Sequence, residues 1–364
     1  MLKGTKVHTI KLNNTYPNTK TKVYSYNLLA LYTPRKLYSF DYSHVGNRCK
    51  TINMSSINYL FVALLMMLPF SARLSAQTPS DAIMMEARQA CVLLEYNYGR
   101  FDQYWEGKFL RENHTIATVN RNTFVPMAAI GILDQLNFYV GVPHIRTESS
   151  DPNGGKFART IGFQDLSVAM KYRFLHKEKN KSIFSLLGTV GFSTPLTNYL
   201  PDYMPYSIGL GAPELSYRAI AQNQWKNGLY LRGGAAYLWR GYAEAEREYY
   251  YNNGSYYTPW MDVPNAVTVD AAIGLWVLSD ALQLELSYFG SKSTSGDDIR
   301  SYNAPQPTND IGADRVGIFA HYYFSGMKGL GLIGYHHRVV NGRNAAKINV
   351  AGIGVNYVFN YLKK

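Results

Sequence analysis

The chain has 364 residues, with 37 Lys and Arg against 25 Asp and Glu for a net charge of +12, 31 Tyr and only two Cys. The excess charge is local: ten of the bases and one of the acids lie in residues 1–76, leaving 27 and 24, a net of +3, for residues 77–364. That balance excludes a nucleic-acid partner read from basicity, and Cys91, alone after Cys49, excludes an internal disulfide or a cysteine metal site in the later part.

In chain order, residues 1–53 carry nine bases, one acid (Asp41) and no apolar period. They read as a mis-called upstream extension, or a disordered basic segment, ahead of a true start at Met54. Residues 57–70, INYLFVALLMMLPF, form an apolar run too short to span a bilayer as a helix. SARLSAQ follows, and Leu74-Ser75-Ala76 offers the small residues a signal peptidase requires. Residues 54–76 are therefore expected to be a signal peptide cleaved after Ala76, residues 77–89 a periplasmic leader, and residues 90–364 the folded part.

Twelve alternating stretches follow, at 90–103, 114–132, 136–144, 165–175, 182–193, 213–222, 228–240, 266–278, 279–290, 314–324, 328–340 and 347–359. The ninth, SDALQLELSYFG, states the rule: Leu282, Leu284, Leu286 and Tyr288 share one parity, Gln283, Glu285 and Ser287 the other. Such a strand shows one face to an apolar medium and one to a polar medium. The second stretch is interrupted by Pro126, and the eleventh is Gly-rich with no clear phase. Connections alternate as well. Short ones fall at 134–135, 176–181, 223–227, 279–281 and 325–327; long ones fall at 104–113, 145–162, 194–212, 241–265 and 290–312, with a shorter one at 341–346.

An even strand count with alternating short and long connections predicts an outer-membrane barrel, with tight periplasmic turns, longer outer loops and both termini periplasmic. A soluble sandwich gives no reason for that alternation. Tyr104, Trp105, Tyr237, Trp239, Tyr288, Tyr357 and Tyr361 near strand ends suit the aromatic girdles of such barrels. Glycines on the polar parity suit a narrow lumen with close backbone approach. The expected fold is all-β: a transmembrane antiparallel β-barrel of about 12 strands in a Gram-negative outer membrane, its apolar parity facing lipid. Outer-membrane lipid and the barrel-assembly machinery are the partners this implies.

The polar parity then lines the lumen. Glu95, Lys171, Arg173, Arg218, Arg232, Asp270, Glu285 and Arg315 are its charged candidates, as ion-pair struts, as the lining of a selective pore, or as both. In the loop at 241–265, Tyr249, Tyr250, Tyr251, Tyr256, Tyr257 and Trp260 form either a capture surface for apolar ligands or the packing between outer loops. Asp297, Asp298 and Asp310 read as solvated acids of another outer loop. Barrel lipases use a His with a Ser two residues on; here His336 and His337 are followed at that spacing by Arg338 and Val339. No GxSxG, HExxH, phosphate-binding or dinucleotide motif occurs, so no enzyme, cofactor or metal is expected.

Three of the stretches also carry a family likeness. GILDQLNFYVGVPHIR (131–146) resembles a Gly-Leu-Asp turn leading into an alternating strand that ends in Pro. GFQDLSVAMKYRFL (162–175) resembles a Gly-x-x-Asp-Leu strand ending in Lys-Tyr-Arg, and SLLGTVGFSTPL (185–196) the strand after it, with Ser193-Thr194-Pro195-Leu196 in place of a final Pro-Thr-Gly. These are similar to motifs of the outer-membrane transporter family named after the meta-pathway of phenol degradation, over residues 90–360. The resemblance implies a barrel of the broad group that includes the long-chain fatty-acid transporters, passing small hydrophobic or aromatic molecules. The alternatives are a structural or adhesion barrel without transport, which predicts a lumen blocked by ion pairs, and a lipid-modifying barrel enzyme, which predicts a Ser within reach of His336 or His337.

Overall fold

The computed structural model describes residues 78–153, 157–300 and 304–362. The expected upstream extension and signal peptide lie outside the described residues.

Twelve strands form the wall: β1 (Gln89–Phe101), β2 (Val119–Leu133), β3 (Leu136–Gly141), β4 (Asp165–Lys179), β5 (Ser182–Pro195), β6 (Glu214–Trp225), β7 (Leu229–Arg240), β8 (Ala266–Val277), β9 (Leu282–Ser293), β10 (Gly312–Tyr323), β11 (Leu330–Arg343) and β12 (Asn349–Asn360). Each pairs antiparallel with its neighbours in sequence, and β12 returns to β1 with Gln89 opposite Asn360 and Arg100 opposite Asn349. The sheet is therefore a closed twelve-stranded barrel, with no helix among the described residues. Closure leaves no strand edge with unpaired N–H and C=O groups, which is what hydrocarbon demands of a spanning sheet.

Parity decides which face each residue takes. On β9, Leu284, Leu286 and Tyr288 are 43%, 59% and 40% exposed on the outer wall, while Gln283 is buried inside. The same rule puts Val190, Phe192, Ile273, Ile318 and Ile353 outside. An oily exterior around a polar interior is the membrane arrangement, the inverse of a soluble sandwich. At the outer rim, Tyr96 and Tyr98 donate their hydroxyls to Asn122 and Asn120, and Tyr288 donates to Asp314. Rings in the apolar layer with hydroxyls reaching polar groups form an interfacial girdle.

Glycine matters at two kinds of place. Gly228 and Gly329 sit in periplasmic turns at φ +88°, where an added Cβ would fall 2.3 and 2.1 Å from the carbonyl oxygens of Trp276 and Val358. Inside the lumen, Tyr230 lies flat over Gly274 and Tyr335 over Gly352, each Tyr and Gly being cross-strand partners. At these two positions the polar-parity glycine makes room for a ring.

Three segments differ from expectation. Residues 145–162 are not a loop: His144–Asn153 pairs with Phe157–Phe163 and with the outer part of β2, so β3 and β4 extend beyond the girdle as a long hairpin. Its first strand starts HIRTESS, with no run of apolar residues on either parity, so nothing local marked it as a strand. Pro143, which lacks a donor, separates the hairpin from β3. Residues 104–113 form a small hairpin, Gln103–Glu106 with Phe109–Glu112, and its Trp105 is buried against Gly342 instead of standing in a girdle. The acids of the loop at 294–311 are not freely solvated either. Asp297 is 3% exposed and accepts a hydrogen bond from Asn309, while Asp298 and Asp310 both pair with Arg343. Counting charges in a loop does not show that Arg343, at the end of β11, folds back onto it.

Candidate functional site

The lumen is organised in three levels from the periplasmic end outward. In the first, residues 78–87 enter the barrel and cross it. Lys171, fully buried on the lumen face of β4, donates to the carbonyl oxygens of Thr78 (2.9 Å) and Asp81 (3.2 Å) and to the Asp81 carboxylate (2.9 Å). Its ammonium also lies 5.1 Å from the centre of the Tyr139 ring. Thr189 on β5 donates to the Pro79 carbonyl at 2.9 Å. Met85, 2% exposed, closes a partial apolar belt of Cys91, Leu93, Ala129, Tyr139, Ala169, Ile333 and Val358, drawn from the adjacent strands β11, β12 and β1–β4. Gly131 leaves space for the Glu86 carbonyl, 2.0 Å from where a Cβ would stand. A buried ion pair of this kind costs about 3–5 kcal/mol when one partner is removed, because the other charge is left without compensation.

The second level is a layer of struts. Arg218 pairs with Asp270, and Arg218 also reaches Thr268. Arg232 pairs with Glu285 at 2.8 Å; Tyr230 donates to the same carboxylate at 2.7 Å and accepts from Gln283 at 2.6 Å. Glu95 accepts from Tyr335 and from Asn97. His321 bonds Asn356 and Tyr323. These links join β6 to β8, β7 to β9 and β1 to β11, each over one intervening strand on the lumen face of the wall.

The third level is an outer vestibule. A cavity of about 490 Å³ is lined by Arg121, Arg315, His337, Asn97, Thr123, Tyr335 and the apolar Ile348 and Val350. A second cavity of about 390 Å³ lies on the other side of Arg121, with Asp165, Glu214 and Arg240 on its wall. Between the two, the loop at 196–213 turns into the mouth. Arg121 donates to the carbonyls of Ser207 (3.2 Å) and Ile208 (2.7 Å), and Ile208 is fully buried against Ile145 and Tyr199. Tyr199 donates to Asp165 at 2.6 Å and accepts from the Gly211 N–H at 3.0 Å. Burial, with the Asp165 bond second, holds the Tyr199 phenol well above its ordinary value, so it stays a donor.

Of the eight charged lumen candidates, the structure brings Arg218 to Asp270 and Arg232 to Glu285, sets Lys171 on the entering segment and gives Glu95 to Tyr335. Arg315 stacks on Phe289 with its guanidinium carbon 4.2 Å from the ring centre. Arg173 stands apart at the periplasmic rim, donating to the Asp134 carbonyl. In the outer loop, Tyr250 is buried and stacks on Tyr256, Tyr249 leans on Tyr257, and the Tyr251 carbonyl accepts from Gln306. Tyr257 and Trp260 are 84% and 51% exposed. Of the two histidines, His337 faces the vestibule and His336 the outer wall.

The site residues not anticipated from sequence are Asp81, Thr189, Arg121, Tyr230, His321 and Tyr335. Tyr230 was available from parity, alternating with Leu229 and Leu231, whereas Tyr335 lay in the Gly-rich stretch with no clear phase. Arg121 lay in the least regular stretch, and nothing local marks Asp81 as the partner of a lysine 90 residues away.

No family model and no curated protein matches the chain. Among solved structures, the chain is similar to an outer membrane channel from Pseudomonas putida F1, with 13% identity, a TM-score of 0.62, and coverage of 78% of this chain and 100% of that one. The translocator domain of the autotransporter NalP from Neisseria meningitidis overlaps at 12% identity and a TM-score of 0.42, covering 84% and 96%. The NanC porin overlaps at 9% identity and a TM-score of 0.41, covering 72% and 98%. The first of these shares the fold of the chain.

Proposed function

We propose that this chain is a gated channel of the bacterial outer membrane for small molecules with an apolar or aromatic body. On this reading residues 78–87 form the gate, and membership of the transporter family named after the meta-pathway of phenol degradation goes with it. The observation that carries the reading is Met85 seated in a partial apolar belt on the lumen side of β11, β12 and β1–β4, one side of the barrel. Without the segment, that belt is an oily lining inside a barrel otherwise lined by charge, suited to an apolar solute leaving toward the periplasm. The likeness to a barrel described as an outer membrane channel is in keeping with it.

The strut layer favours a second reading, a structural barrel that passes nothing, since Arg218–Asp270 and Arg232–Glu285 tie β6 to β8 and β7 to β9 on the lumen face. One experiment separates the two. Lys171→Met leaves the Asp81 carboxylate buried without its cation, which drives the segment out of the lumen. In planar bilayers the variant is expected to show several-fold higher conductance than the wild type, and its liposomes to take up an uncharged aromatic dye faster. If neither protein admits any solute of a broad apolar and polar panel faster than empty liposomes, the channel reading is wrong and the structural one stands.

A further inference from the structure

The vestibule has a chemistry that neither the gate nor the struts use. Two guanidinium groups, Arg121 and Arg315, line one cavity of about 490 Å³, and no carboxylate lines it. Two acids stand behind this wall, Glu95, which accepts from Tyr335 and Asn97, and Asp270, which pairs with Arg218. Arg121 spends two N–H groups on the Ser207 and Ile208 carbonyls, which fix its place but leave its charge unmatched. Arg315 forms no ion pair or hydrogen bond among the described residues. Its guanidinium carbon lies 4.2 Å from the centre of the Phe289 ring, a cation–π contact that uses none of its N–H donors. Beside them stand Asn97 and Thr123 as neutral polar groups, then Ile348 and Val350 as an apolar wall, with the parallel rings of Tyr335 and His337 between.

We infer that this vestibule is a binding site for a small monocarboxylate, its head held by Arg315 with Arg121 and its apolar body against Ile348 and Val350. The inference rests on the reading of the lumen as a solute path and adds the charge of the molecule taken up. Planar guanidinium donors match the two oxygens of a carboxylate, and such charge-assisted bonds are about twice as strong as neutral ones. Free phosphate would satisfy the arginines but leave the apolar wall uncovered.

The test is equilibrium binding by titration calorimetry on the detergent-solubilised folded chain, with benzoate, benzamide and inorganic phosphate as probes. Benzoate is expected to bind saturably, and benzamide, of the same shape without the charge, about tenfold or more weakly. Arg315→Gln is expected to weaken benzoate by a similar factor and leave benzamide unchanged, while Arg315→Lys recovers part of the loss. Equal affinity for benzoate and benzamide, phosphate binding as tight as benzoate, or a folded Arg315→Gln with unaltered benzoate affinity overturns the inference. The comparison of probes on the wild type needs no variant to fold. Because binding is read without transport, benzoate binding in a barrel that passes nothing sinks the channel and spares the site. Uptake of neutral solutes without benzoate binding does the reverse.

Discussion

Lys171 shows how a single residue is committed by what surrounds it. On sequence parity it is one lumen cation among several; in the structure its ammonium is out of water and held by two carbonyls, a carboxylate and a ring. Asp298 is the contrasting case, in an outer loop and partly in water. The Arg343 guanidinium, bonded to both its oxygens, holds its carboxyl below the usual carboxylate range. A folded-state value below the unfolded one gives a stabilising contribution that is complete above about pH 4, the ordinary Asp value, and is lost as pH falls through the lower folded value. Asp297 carries the opposite sign: burial raises its carboxyl, so the charged form opposes folding of the loop near neutrality and protonation relieves it. Asp298→Asn should therefore speed proteolysis of the 294–311 loop at pH 7, with the gap from wild type narrowing toward pH 3. Asp297→Asn, which keeps an acceptor for Asn309, should not speed it. A gap for Asp298→Asn that stays constant with pH would remove the electrostatic account.

At the scale of the element, a strand of this barrel is a two-faced object whose faces are set by period two. β9 is the clearest: Leu286 points into lipid while Glu285, one residue earlier, is bonded by Arg232 and Tyr230 in the lumen. Leu286→Arg should destabilise the folded barrel by about 2–4 kcal/mol, the penalty for a cation on the lipid face near mid-depth. Urea titration in micelles, followed by the folded band on unheated gels, reads this directly. No measurable loss would mean that this face does not meet hydrocarbon. The same period explains what strands failed to announce. His144–Asn153 and Phe157–Phe163 pair as β3 does, but Ile145 turns inward against Tyr199 and Ile208 while Arg146 and Glu148 stand on the other parity, so the hairpin lacks the unbroken apolar face that marks a strand in lipid.

For the whole molecule, closure is the decisive property, because a barrel shares every strand with two neighbours and loses all its edges at once. Stability should then follow depth rather than strand identity. In hydrogen exchange, amides of β2 and β4 within the apolar belt should outlast those of the 144–163 hairpin by orders of magnitude, since only the former must open in a medium that cannot replace their hydrogen bonds. Uniform protection along the β3–β4 hairpin would place its outer half in hydrocarbon as well.

Twelve strands and the inward and outward faces of most of them were legible in the residues themselves, because lipid acts on each strand separately and writes period two into it; the Gly-rich eleventh gave no phase, and the 145–162 hairpin read as a loop. The pairings of Arg218 with Asp270 and Arg232 with Glu285 were legible only as a set of charges, since which two meet depends on barrel tilt and on how far a side chain reaches across the lumen. The entry of residues 78–87, the burial of Met85 and the salt bridge from Asp81 to Lys171 had no local signal at all. They exist because only the closed cylinder puts a lysine of β4 beside residues that precede the first strand.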